Sequence, residues 1–125
     1  MKRRDRDDPE GMIQKEVARH LRERAMPGVF AFHPMNEGKR RNSTQHKLNG
    51  LVAGVPDWIL IRGSTAYALE LKRTTGKLSL SQVATHAQLR AAGVEPYTAY
   101  GLDDALRWLE RNGFLRGTAG EAKAA

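Results

Sequence analysis

The chain contains no cysteine. That excludes disulfides, zinc held by thiolates and a thiol nucleophile, and it fits a cytoplasmic setting. No apolar run approaches the roughly 18 residues needed to span a membrane, so no membrane partner is expected. The stretch Met1-Lys2-Arg3-Arg4-Asp5-Arg6-Asp7-Asp8 is charged and lacks the apolar segment of a signal peptide. Internal repeats, a Walker loop and a zinc signature are also missing. Acid is scarce: 14 Asp and Glu stand against 21 Lys and Arg, a formal charge of +7 over 125 residues. A chain of this length has room for one domain with one core. On so small a domain the charge favours a polyanionic partner and ranks nucleic acid first.

What is present reads as alternating helices and strands. Asp8-Pro9-Glu10 is a helix start, with Asp8 as N-cap and Pro9 at the first helical position. Ile13, Val17, Leu21 and Ala25 follow at steps of four and make one face apolar. Met26-Pro27-Gly28 ends the helix. Glu10 complements the helix dipole in the first turn. Val29-Phe30-Ala31-Phe32 is a strand that Pro34 stops or places on an edge. From Glu37 to Lys47 there are four Lys or Arg, one acid and almost no apolar residue. That segment is either a solvated loop or a phosphate-contacting one. A short helix is expected somewhere between Thr44 and Leu51.

Gly54 to Lys72, GVPDWILIRGSTAYALELK, reads as a hairpin. Trp58-Ile59-Leu60-Ile61 is a short buried strand, Arg62-Gly63-Ser64-Thr65 the turn, and Ala66 to Lys72 the second strand. Alternation sends Leu69 and Leu71 into the core and points Glu70 and Lys72 the same way. A hairpin register can bring Asp57 beside Glu70. Two carboxylates and an ammonium would then share a small volume. Such a set suits a hard divalent cation, with the lysine acting on a water or a phosphate. On these residues alone, two exposed strand-end acids and a solvated lysine is an equal reading.

Arg73-Thr74-Thr75-Gly76-Lys77 is a basic turn. Ser79 caps the next helix and Gln82 completes a capping box. Val83, Ala87 and Leu89-Arg90-Ala91 carry this helix to Gly93, its C′ residue. Gln82 would face the acidic cluster if the helix packs beside the second strand. Val94 to Tyr100 is a third core strand, with Pro96 at its start or on an edge. Asp103 caps a last helix that turns Ala105, Leu106, Trp108 and Leu109 inward and ends at Asn112-Gly113. Phe114 and Leu115 pack back onto it. Residues 1–8 are a charged arm, 9–116 the domain and 117–125 a flexible tail.

The expected order is α-β-loop-β-β-α-β-α, an α/β arrangement. In this order the chain resembles the VRR-Nuc (virus-type replication-repair nuclease) family of the PD-(D/E)xK superfamily. The resemblance runs roughly from Pro9 to Phe114. It is carried by Glu10 with Ile13-Gln14, by His33-Pro34-Met35-Asn36-Glu37-Gly38-Lys39-Arg40, and by Gly54-Val55-Pro56-Asp57. Glu70-Leu71-Lys72 and Gly76-Lys77-Leu78-Ser79 through Gln82 complete it.

The resemblance implies a small restriction-endonuclease-like core, a mixed sheet flanked by helices. Asp57 and Glu70 would ligate Mg²⁺ or Mn²⁺, with the Leu71 backbone carbonyl as third ligand and Glu10 as a further one, direct or through water. Glu16 competes with Glu10 if the first helix is rotated. Lys72 would position the attacking water, and Gln82 would support Lys72 or a phosphate oxygen. Nucleic-acid contacts fall to Asn36, Lys39, Arg40, Arg41, Lys47, Arg73 and Lys77.

The implied activity is metal-dependent hydrolysis of DNA phosphodiester bonds by an endonuclease, selective for branched or Holliday-junction-like DNA. A sequence-tolerant nicking enzyme or general DNase, and a non-catalytic nucleic-acid-binding module of the same fold, are the alternatives. A stand-alone domain of this size is expected of a small phage or bacterial protein of DNA repair or recombination. Symmetric cutting of a junction is expected of a homodimer.

Overall fold

The computed structural model describes residues 9–34 and 50–117. Helix α1 spans Glu10–Arg24. Strand β1 spans Phe30–Phe32, β2 Trp58–Arg62 and β3 Thr65–Lys72. Helix α2 spans Leu80–Ala91, β4 Pro96–Tyr100 and α3 Leu102–Arg111. The four strands form one sheet in the order β1-β2-β3-β4. The first two pairings are antiparallel and β3 pairs with β4 in parallel. The expected α/β fold with a mixed sheet is therefore the observed one. Among the described residues no helix is long and apolar enough to cross a membrane.

The hairpin register follows from its turn. Gly63 and Ser64 both take positive φ, 59° and 68°, the pattern of a two-residue turn whose twist matches that of the flanking strands. Arg62 then pairs with Thr65 and Trp58 with Leu69. Alternation sends Trp58, Leu60, Leu69 and Leu71 to one face, where they meet Ile13 and Val17 of α1 and Ala105, Trp108 and Leu109 of α3. Phe114 and Leu115 close this core, as expected. Leu115 bridges to Ala25, and the Met26 N–H donates to the Phe114 carbonyl at 2.9 Å. The C-terminal segment thereby clamps the end of α1.

Two local expectations are corrected. Pro9 is the N-cap of α1 and not its first helical residue. Its φ of −59° suits a helix, but its ψ of 149° is extended, and its carbonyl receives the Met12 and Ile13 N–H groups. Asp8 lies outside the described residues. Asp103 does not cap α3: Gly101 is the N-cap, held by its N–H on the Lys72 carbonyl at 2.8 Å. The neighbouring Asp104 is the engaged acid, accepting from the Tyr97 hydroxyl and the Tyr100 N–H.

Helix α2 forms as expected, and its buried side is polar: Val83 is 50% exposed, and the buried residues are Thr85 and His86. This helix covers the sheet face that carries Glu70, so its inner side is polar. Its start is fixed three ways. Ser79 and Gln82 form the expected capping box. The Thr85 hydroxyl donates to the Ala53 carbonyl at 2.6 Å. Gly54, at φ +81°, lies so close to the Ser81 carbonyl that a Cβ would sit 2.2 Å from its oxygen. Gly93, also at positive φ, ends the helix, with N–H groups of Gly93 and Val94 returned to its last carbonyls.

Candidate active site

Pairing of Trp58 with Leu69 sets Asp57 across from Glu70. The ladder stops there, and Asp57 continues it with its side chain: Oδ2 accepts the Leu71 N–H at 2.7 Å. Strand alternation then brings Lys72 to the Glu70 side. Glu70 is 2% exposed and Lys72 8%. The second reading of these residues, exposed acids with a solvated lysine, is thereby excluded.

Both Glu70 oxygens meet α2. Gln82 Nε2 donates to Oε2 at 3.1 Å, and His86 Nε2 lies 3.3 Å from Oε1. Gln82 Oε1 meanwhile accepts the Ser79 N–H at 2.8 Å. One amide thus serves the helix cap and the acid together. Burial, and then the facing Asp57 carboxylate, push Glu70 up to about 9; Lys72 pulls in the opposite direction. Burial also lowers His86, with the Arg90 charge adding to the effect. A neutral imidazole facing a carboxylate oxygen presents its Nε2 as the donor.

Helix α1 contributes from the other side. Glu10 Oε2 lies 3.8 Å from Lys72 Nζ. Glu16 instead pairs with Arg19 at 2.7 Å, so the observed rotation of α1 brings Glu10 to the cluster. That rotation is fixed one turn on, where Trp58 Nε1 donates to Gln14 Oε1 at 2.5 Å. Among the described residues no three His, Asp or Glu side chains form a metal-holding group. Two juxtaposed carboxylates still fit Mg²⁺, which takes one or two and fills its shell with waters and substrate phosphate. The repulsion that raises Glu70 is the kind of cost a divalent cation would offset.

Arg73 and Lys77 stand exposed in the turn between Lys72 and α2. Asn36, Lys39, Arg40, Arg41 and Lys47 lie outside the described residues, as does most of the run expected to form a short helix. Two histidines contribute that the sequence reading did not single out. His33, the first residue of a segment that carries the resemblance, places its Nδ1 2.6 Å from the Asp57 carbonyl. His86 is four residues after Gln82, on the same helix face. That spacing was readable once Gln82 was placed on the acid.

No family model and no curated protein matches the sequence. Solved structures do. One titled "VRR_NUC domain protein" superposes with a TM-score of 0.68 at 18% identity, covering 84% of this chain and 88% of the other. A second, "VRR_NUC domain", gives 0.55 at 17% identity, covering 81% and 94%. The chain has the fold of these VRR_NUC structures, a small α/β nuclease-like fold with an open mixed sheet.

Proposed function

We propose that this chain is a VRR-Nuc-type endonuclease that hydrolyses DNA phosphodiester bonds with a divalent cation. The observation that supports this most is the buried Glu70 facing Asp57, with Lys72 two residues on, at one end of a sheet shared with VRR_NUC structures. Asp57, Glu70 and the Leu71 carbonyl would hold Mg²⁺ or Mn²⁺, with Glu10 as a further ligand, direct or through water. The bound cation would supply Lewis acidity at a phosphate oxygen and lower the pKa of a water. Lys72 orients the attacking water and offsets charge on the phosphate. Glu10, close to the Lys72 ammonium, steadies that side chain. Gln82 fixes the Glu70 carboxylate. Arg73, Lys77 and the basic residues Lys39, Arg40, Arg41 and Lys47, with Asn36, hold the DNA backbone.

The preferred substrate is branched DNA, and a homodimer places two such sites for paired cuts. The test is incubation with labelled four-way junction and linear duplex, each with Mg²⁺, Mn²⁺ or EDTA. Metal-dependent cutting that favours the junction is expected. Equal cutting of both would make the protein a sequence-tolerant DNase. Binding without cutting in either metal would make it a binding module of the same fold.

A further inference from the structure

We infer that His86 is a positioning residue: it sets the orientation of the Glu70 carboxylate. The inference rests on the nuclease reading only in taking Glu70 as a metal-facing group. His86 is 1% exposed and Glu70 2%. Their Nε2–Oε1 separation is 3.3 Å, and Gln82 Nε2 holds the other oxygen at 3.1 Å. A carboxylate gripped at one oxygen can still swing about its last bond. Gripped at both, from two residues one helical turn apart, it cannot. Each oxygen also keeps lone-pair capacity for a further partner. The grip therefore orients Glu70 and leaves it able to ligate.

The two donors share one rigid support. The Thr85–Ala53 hydrogen bond and the Gly54–Ser81 contact tie α2 to the loop that delivers Asp57, and the capping box fixes Gln82 at the start of that helix. The same helix thus registers both acids. A histidine that merely filled space beneath the sheet would need no donor aimed at Glu70. A leucine or methionine would serve there without the cost of burying a polar ring.

The experiment pairs variants by donor reach. His86→Gln places an amide N–H near the position of Nε2. His86→Asn keeps polarity but falls short, and His86→Met keeps length without a donor. Titration with Mn²⁺ alone, by calorimetry without DNA, is expected to show binding weakened about tenfold in His86→Met and His86→Asn, the lower end for loss of a group that orients a metal ligand. His86→Gln should recover most of it. If His86→Met does not fold, the Asn and Gln pair decides. Equal Mn²⁺ affinity in Asn, Gln and wild type would overturn the inference.

A second readout needs no metal. Metal-free crystal structures should show Glu70 turned away from its wild-type orientation in the Asn variant and unmoved in the Gln variant. An unmoved Glu70 in both would overturn the positioning role. If wild type bound no Mn²⁺ while Glu70 moved as expected, the nuclease reading would fall and the role of His86 would stand.

Discussion

Replacing Gly54 with alanine tests whether the fold and the acidic pair are coupled through α2. The added Cβ would lie 2.2 Å from the Ser81 oxygen, 2.5 Å from its carbon and 2.8 Å from the Gln82 nitrogen. All three are backbone atoms, so no side-chain rotation relieves the overlap. Ordinary contact needs roughly 3.5 Å, so the start of α2 must retreat by about 1 Å. Two costs combine: about 1–2 kcal/mol for an L-residue at left-handed φ, and about 1–3 kcal/mol for overpacking. Gly28 supplies the control, with φ +83° and nothing within 4 Å of where a Cβ would sit. Gly28→Ala carries the first cost alone. Thermal melting should place Gly54→Ala below Gly28→Ala by about 4 °C or more, on the scale of a domain this size. The retreat also draws Gln82 off Glu70, so Mn²⁺ affinity should fall in Gly54→Ala and hold in Gly28→Ala. Matching melting curves and matching Mn²⁺ titrations in the two variants would refute the coupling.

The acidic pair itself gives four further expectations. Asp57→Asn keeps an acceptor for the Leu71 N–H and removes the charge that raises Glu70; cleavage should vanish while the melting temperature in EDTA holds or rises, and a clear fall would contradict the repulsion. Lys72→Met should lose cleavage and keep Mn²⁺ binding, whereas lost binding with retained cleavage would reverse the roles assigned to lysine and acids. Gln82→Glu still accepts the Ser79 N–H but sets an oxygen against Glu70 Oε2; melting should change little and cleavage drop sharply, and unimpaired cleavage would reduce Gln82 to a cap. Glu70 ionises near 9 when folded and near 4.5 when unfolded, so the metal-free fold holds a proton that the unfolded chain gives up. Its stabilising contribution is full below about 4.5 and is lost as pH rises through about 9. Mn²⁺ binding at pH 7.5 should release close to one proton, read from titrations in buffers of different ionisation enthalpy, and buffer-independent heats would contradict the shift.

Features set by local chemistry were legible in the sequence. The Gly63-Ser64 turn fixes a two-residue hairpin, and its register alone carries Asp57 to Glu70. The Ser79–Gln82 capping box needs four residues and no tertiary information. Ile13 and Val17 show their burial by spacing. What failed depended on distant partners. Asp103 reads as the cap until the Lys72 carbonyl takes the Gly101 N–H, and it is Asp104 that Tyr97 and Tyr100 claim. Helix α2, its cap and its end were legible, but its buried side was not. Apolar periodicity assumes a hydrophobic partner surface, but α2 lies on Glu70, and its buried side is Thr85 and His86. The pattern misleads at the point where the helix serves the site.

That polar inner face also bears on whether the acids are catalytic or decorative. A module that only gripped DNA would gain from an amide in place of Glu70, since a buried carboxylate beside Asp57 opposes both folding and phosphate. Here the chain does the reverse. It buries Glu70, faces it with a second acid, and then supplies Gln82 and His86 to fix it in place. Lys72 offsets only part of the charge, for Glu70 still stands far above the usual carboxylate range. A second positive group, on α2, would have relieved the pair permanently, yet that helix offers a neutral amide and a neutral imidazole. Neutral donors orient Glu70 without adding a positive charge that would compete with a cation. The proton that Glu70 holds is then what an arriving cation displaces, and that exchange is a property the proposed metal-dependent hydrolysis needs and a binding module does not.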